Sequence, residues 1–228
     1  MKKYLLAIII AASALSASAY DIFNSKANRS YIGIRASYEL ACPGDVKLNS
    51  LSKAEIYGNS SGFSASLIYH MPLWKNLFFE PGVSLYYNTY SLNKTLIDME
   101  FDEAGATDIP RPDDASVRQF GIRVPLHMGY HFDVIPAVSI SIFTGPEISL
   151  GISGENHLSF DDFAVTTEAF GSKGDINRFD FKWRFGVGAT FLGKYYAALS
   201  GAAGICDMQK GPASMRSNLF DITLGYNF

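Results

Sequence analysis

The chain has 228 residues, 48% of them hydrophobic, with 17 Phe and 13 Tyr, and its 19 basic and 22 acidic residues give a net charge of −3. A nucleic-acid-binding domain wants a basic face, so this balance gives no support to nucleic acid as a partner, and none is expected. No later segment approaches the ~18 consecutive apolar residues of a membrane-spanning helix, so helical spans are excluded.

The chain opens MKKYLLAIIIAASALSASAY. Lys2 and Lys3 precede an apolar run from Tyr4 to Leu15, and Ala17-Ser18-Ala19 supplies small residues in an A-x-A pattern. This predicts a cleaved signal peptide over residues 1–19, because the run is shorter than the ~20 residues that cross a bilayer. Losing Lys2 and Lys3 leaves 17 basic against 22 acidic residues, a net charge of −5. The remaining residues, 20–228, have a length that suits one β-barrel or β-sandwich domain.

Beyond the signal, the hydrophobic period is two rather than 3.6, the mark of strands with two unlike faces. Eight strands are predicted, at about 30–40, 61–73, 77–91, 117–132, 137–153, 177–192, 195–207 and 218–228. In the fourth, Phe120, Ile122, Val124, Leu126, Met128, Tyr130 and Phe132 share one face, and Gln119, Gly121, Arg123, Pro125, His127, Gly129 and His131 share the other. In the sixth, Phe179, Phe181, Trp183, Phe185 and Val187 oppose Arg178, Asp180, Lys182, Arg184 and Gly186. The seventh is the weakest pattern, because its Ala and Gly residues leave its two faces alike.

The connections alternate. Trp74-Lys75-Asn76, Asp133 to Pro136 and Gly193-Lys194 are tight, whereas about 41–60, 93–116, 154–176 and 208–217 are long. One end of the molecule therefore carries turns and the other carries loops. The expected fold is all-β: an eight-stranded antiparallel up-and-down transmembrane β-barrel with short periplasmic turns and long extracellular loops.

A soluble barrel would alternate as cleanly with its apolar face inward. Volume decides between the two. Eight strands enclose a bore just wide enough for their own side chains, too narrow for several aromatic or branched residues from every strand. The aromatic face must then point outward at lipid, and the Gly, Ser, Ala and charged face must fill the lumen. Trp74, Phe78, Phe79, Tyr130, Phe132, Phe191, Tyr195, Tyr196, Tyr226 and Phe228 lie beside the turns, where an aromatic girdle is expected.

The stretches LFFEPGVSLYYNTYSL, FGIRVPLHMGYHF, SIFTGPEISLGIS, FDFKWRFGVGATF and NLFDITLGYNF together resemble the PorT-like family of outer-membrane β-barrel proteins of Gram-negative bacteria. The most specific pieces are Val124-Pro125-Leu126 leading to Gly129-Tyr130-His131-Phe132, then Gly145-Pro146, and the terminal Gly225-Tyr226-Asn227-Phe228. The resemblance implies residence in the outer membrane and a C-terminal signal, Tyr226 and Phe228, read by the barrel assembly machinery. Its named member is linked to a protein-secretion apparatus. Most members have no assigned chemistry, so the resemblance leaves activity open.

Inward charges need partners. With register set by the tight turns, Arg123 is expected opposite Glu147 and His70 opposite Glu80. Lys182 and Arg184 are expected near Glu147, and Asp221 near Arg35. These eight residues are read as a polar network that plugs the lumen; the alternative is a proton or small-ion path.

No metal or cofactor is expected. His127 and His131 are roughly 13 Å apart on a strand, and His70 can meet His131 only across the third strand. GNSSG, Gly58 to Gly62, matches a nucleophile elbow in letters but lacks the following helix, and reads as a turn. Cys42 and Cys206 both fall at the loop end on strands separated by the eighth, so a disulfide is left open.

The second and third loops are acidic, through Asp98, Glu100, Asp102, Glu103, Asp108, Asp113 and Asp114, and through Asp161, Asp162, Glu168 and Asp175. They read as solvated faces or as a binding surface for an extracellular ligand or secretion component. The favoured function is a non-enzymatic barrel with binding loops. A narrow channel or secretion component is one alternative, and a lipid- or glycan-modifying enzyme built on His157, Ser159 and Asp161 is another.

Overall fold

The computed structural model describes residues 28–44, 46–47, 53–54, 57–95, 111–135, 137–160, 163–171, 174, 176–210 and 215–228. The expected signal segment, 1–19, lies outside the described residues, as do Asp98, Glu100, Asp102, Glu103, Asp108, Asp161, Asp162 and Asp175 of the acidic loops.

Eight strands form the body: β1 (Tyr31–Pro43), β2 (Tyr57–Pro72), β3 (Leu77–Leu92), β4 (Asp114–Ile135), β5 (Val138–Ser159), β6 (Phe179–Phe191), β7 (Tyr195–Gly204) and β8 (Ser217–Asn227). Each pairs antiparallel with its sequence neighbours, β8 returns to pair with β1, and β4 and β5 are joined, so the ring has no gap. Such closure leaves no unpaired backbone edge around the wall, which lipid would otherwise fail to solvate.

The hairpins follow from local chemistry. Leu192 and Gly193 both take positive φ, 53° and 69°, within the three-residue connection between the paired Phe191 and Tyr195, where the Lys194 N–H donates to the Phe191 carbonyl at 3.0 Å. Lys75 has φ 51° in the β2–β3 turn, where the Leu73 N–H donates to the Leu77 carbonyl at 2.8 Å.

Apolar side chains face outward all round the wall. Phe63 and Leu199 are each 64% exposed and Phe220 is 61%. A belt of this size would be an aggregation surface in water and is a lipid face in a bilayer. The inward side of β7, indistinct in sequence, is set by buried Tyr196, Ala198 and Ser200 against exposed Leu199.

Phe78 and Tyr196, expected in the outward aromatic girdle, are instead buried on the inward side of their strands, and three further local features differ from the sequence expectation. Gly58 to Gly62 lies within β2 rather than in a turn, and the β2–β3 register shifts between Tyr57 and Ser60. Residues 155–159, expected in a loop, continue β5 above the wall and pair with a short strand, Ala164–Glu168. The turn between β4 and β5 is tighter than Asp133 to Pro136, with Ile135 pairing Val138. That tightening moves the register by two residues, so Arg123 pairs Ser149 while Glu147 pairs Pro125. A shift of two preserves which face is inward.

Candidate functional site

The polar lumen is where the charged residues meet. Glu39 on β1 and Asp221 on β8 are direct cross-strand partners, a like-charge pair that is unfavourable unless cations intervene. Two arginines do. Arg123 on β4 reaches Glu39 with a forked pair of hydrogen bonds, Nη1 to Oε1 at 2.5 Å and Nη2 to Oε2 at 3.1 Å. Its Nε lies 3.1 Å from Glu147 Oε1 as an ion pair not aligned as a hydrogen bond.

Arg184 on β6 completes the chain. Its Nε–H donates to Glu147 Oε2 at 2.8 Å, and its Nη1 donates to Ser200 Oγ at 2.6 Å and to Asp221. The Ser200 hydroxyl donates to Asp221 at 2.8 Å, and the Thr223 hydroxyl does so at 3.0 Å. One connected network thus ties β1, β4, β5, β6, β7 and β8 across the bore. Glu39 and Glu147 are each only 1% exposed, so water does little to screen them.

Arg123 lies over the Tyr86 ring at 4.7 Å, and Arg35 over the Tyr196 ring at 4.0 Å. Glycine makes room for these rings: a Cβ on Gly188 would stand 2.6 Å from the Tyr196 hydroxyl. Below the network is a chamber of about 70 Å³ lined by Arg35, Glu80, His127 and Tyr196 among others, and above it one of about 20 Å³ under Phe170 and Met208. Arg123 borders both.

The loop end is capped by an apolar cluster that includes Tyr90, Phe170, Ile176, Met208, Met215 and Leu219. The segment carrying Phe170 is fastened by Lys210, whose Nζ donates to the Gly171 and Gly174 carbonyls. The turn end is filled by His70, Phe78 and His131, whose rings pack with centroids 4.6 to 5.1 Å apart.

Several expected pairings need correction. Asp221 meets Arg184 and Ser200 rather than Arg35, because Arg35 pairs Gly225, four residues along β8. Arg35 instead donates to the Ile34 and Tyr226 carbonyls at 3.1 and 3.4 Å. Lys182 pairs Glu147 in register, but its ammonium bonds Asp180, two residues away on the same face. Arg123 reaches Glu147 despite the shifted register, through the length of its side chain. His70 meets Glu80 with Nδ1 3.0 Å from Oε2. Glu39, Asp180 and Ser200 were not singled out, although Glu39 shares strand parity with Arg35 and Asp180 with Lys182; Ser200 lies on β7, whose two faces look alike in sequence.

Cys42 and Cys206 are unpaired in this fold. Phe228 is exposed at the turn end, its N–H donating to the Ile32 carbonyl at 2.9 Å, and Tyr226 packs edge-on against Tyr195 and Phe228. His157 Nδ1 lies 3.3 Å from the Thr166 hydroxyl. Among the described residues, no three His, Cys, Asp or Glu side chains converge as a metal site.

A family model described as an outer membrane protein beta-barrel domain matches residues 7–228. No curated protein matches the chain. Among solved structures, the outer membrane protein OprG from Pseudomonas aeruginosa is 12% identical, with 88% of this chain and 97% of that chain covered at a TM-score of 0.45. Ail, the attachment invasion locus protein of Yersinia pestis, in complex with the heparin analogue sucrose octasulfate, is 12% identical, with 88% and 99% covered at 0.40. Neisserial surface protein A is 13% identical, with 87% and 97% covered at 0.38.

Proposed function

The chain belongs to the outer membrane protein β-barrel domain family and resides in the lipid of the cell outer membrane, and from that premise we propose that it is a closed, non-catalytic barrel that presents binding loops at the cell surface. The observation that carries this reading is the arginine–carboxylate network through Glu39, Arg123, Glu147, Arg184 and Asp221. An ion crossing the bore would have to displace guanidinium groups that hold buried carboxylates. Breaking such a pair costs about 3–5 kcal/mol, and the apolar cap at the loop end adds a second barrier.

In this reading the eight residues first singled out, Arg35, His70, Glu80, Arg123, Glu147, Lys182, Arg184 and Asp221, stiffen and fill the lumen. Tyr226 and Phe228 serve as the signal to the barrel assembly machinery, and residues 1–19 as the cleaved export signal. The turns face the periplasm. The acidic loops are the surface for an extracellular ligand or a secretion component, the latter in keeping with the resemblance to the PorT-like family. Against catalysis, His157 is engaged with Thr166 on the adjoining short strand rather than with Ser159.

Planar-bilayer recording of the purified protein is the test. A flat baseline across ±100 mV agrees with a plugged bore; steady unitary steps would establish a channel in its place.

A further inference from the structure

We propose that His70, His131 and Asn28 form a site for a divalent zinc-class cation at the turn end of the lumen. It stands on different residues from the arginine network and does not depend on whether the barrel conducts. The sequence argued against any shared ion because the two histidines lie on strands separated by a third. In the fold both side chains project across the narrow bore, and His70 Nε2 and His131 Nε2 end 3.4 Å apart.

The orientation of each group is fixed by what its other atom does. Glu80 Oε2 accepts a hydrogen bond from His70 Nδ1 at 3.0 Å. With Nδ1–H held by Glu80, Nε2 is the nitrogen that offers its lone pair to a metal. A carboxylate behind the far nitrogen is the usual support for a metal-bound imidazole. Asn28 Nδ2 donates to the carbonyls of Lys75 and Leu77, which turns its Oδ1 toward His70 Nε2 at 3.4 Å. Asn28 Oδ1 and His131 Nε2 thus both approach His70 Nε2.

The spacing fits a tetrahedral ion. Ligands at roughly 2.0–2.1 Å from zinc stand about 3.3–3.4 Å from one another, which matches both separations. The two imidazole nitrogens suit the zinc, copper and nickel class better than calcium or magnesium, and the harder amide oxygen is the weaker third ligand. The set is held firmly. His70 stacks on Tyr31 at 4.4 Å with the rings 5° from parallel, and the His131 backbone exchanges hydrogen bonds with Asn76 at 2.7 and 3.0 Å. A water molecule would supply the fourth ligand. The consequence is mechanical: the ion would staple the residues preceding β1 to β2 and β4 across the bore.

The test uses the untagged full chain, folded in detergent and stripped with chelator, titrated with zinc chloride by calorimetry. One equivalent is expected to bind, with zinc-edge X-ray absorption showing two imidazole nitrogens. Asn28→Ala, outside the wall, should weaken binding at least tenfold, Glu80→Gln should weaken it 10–100-fold, and His131→Gln should abolish it. His157→Ala should leave it unchanged. Heat-modifiable gel mobility reports that each variant is still a folded barrel. Folded wild type that takes up no zinc overturns the proposal, and so does uptake that survives both Asn28→Ala and His131→Gln or is lost with His157→Ala.

Discussion

Replacing Arg123 with Met tests the lumen network at its centre. Arg123 supplies a forked pair of hydrogen bonds to Glu39 and an ion-pair contact at Glu147. Methionine fills part of the volume but leaves Glu39 without its own arginine, facing an Asp221 that keeps only Arg184 across the β1–β8 pair. Glu147 keeps Arg184 at 2.8 Å, so the damage should fall mainly on Glu39. Removing one partner of a buried pair costs about 3–5 kcal/mol, whereas replacing both can be close to neutral. Arg123→Met should therefore lower unfolding free energy by ~3–5 kcal/mol, and Arg123→Met with Glu39→Gln by markedly less. Urea unfolding in lipid vesicles, followed by tryptophan fluorescence, measures both. A single-variant loss under ~1 kcal/mol, or a double variant worse than the single, would refute the reasoning.

Leu199→Arg, on the lipid-facing side of β7 between Val187 and Ile222, should cost roughly 2–4 kcal/mol in vesicles; a change under ~0.5 kcal/mol would mean that this face is not in hydrocarbon. Gly188→Val places side-chain atoms against the Tyr196 hydroxyl and should destabilise by about 1–3 kcal/mol, with Tyr196→Ala restoring part of the loss in the same assay. Under denaturing, non-reducing conditions two thiols per chain should react with maleimide, since Cys42 and Cys206 are unpaired; protection released only by reductant would contradict this. Arg184→Ala combined with Tyr196→Ala should still give a flat baseline in planar bilayers, because the apolar cap at the loop end and the His70, Phe78 and His131 packing at the turn end both remain; steady unitary steps would mean that the arginine network alone closes the bore.

The wall was legible because lipid and lumen impose opposite demands on alternate residues. Val187 and Gly188, or Ile222 and Thr223, declare their faces without help from tertiary contacts. Where that contrast fades, the reading faded with it. Residues 155–159 rise above the apolar band, so Glu155, Asn156 and His157 carry no two-faced signal although they continue β5. Gly58 to Gly62 carries turn chemistry, but backbone pairing with β3 holds it extended.

The candidate site was legible in part. Parity alone marks Arg35, Arg123, Glu147 and Arg184 as inward. Choosing partners needs register and side-chain reach, and a two-residue tightening at Ile135 and Val138 was enough to move cross-strand neighbours while leaving their faces unchanged. Glu39 has the same parity as Arg35 and could have been included on that ground. The meeting of His70 with His131 was not readable along the chain, because it depends on a bore narrow enough for alternate strands to touch.

Heat-modifiable gel mobility combined with protease shaving of intact cells bears most directly on the central claim. The account predicts a faster-migrating unheated form, with cleavage confined to the second and third loops, about residues 93–116 and 154–176. Recovery of the protein as a soluble periplasmic species, with no shift on heating, would contradict the outward-facing aromatic wall and the barrel built on it.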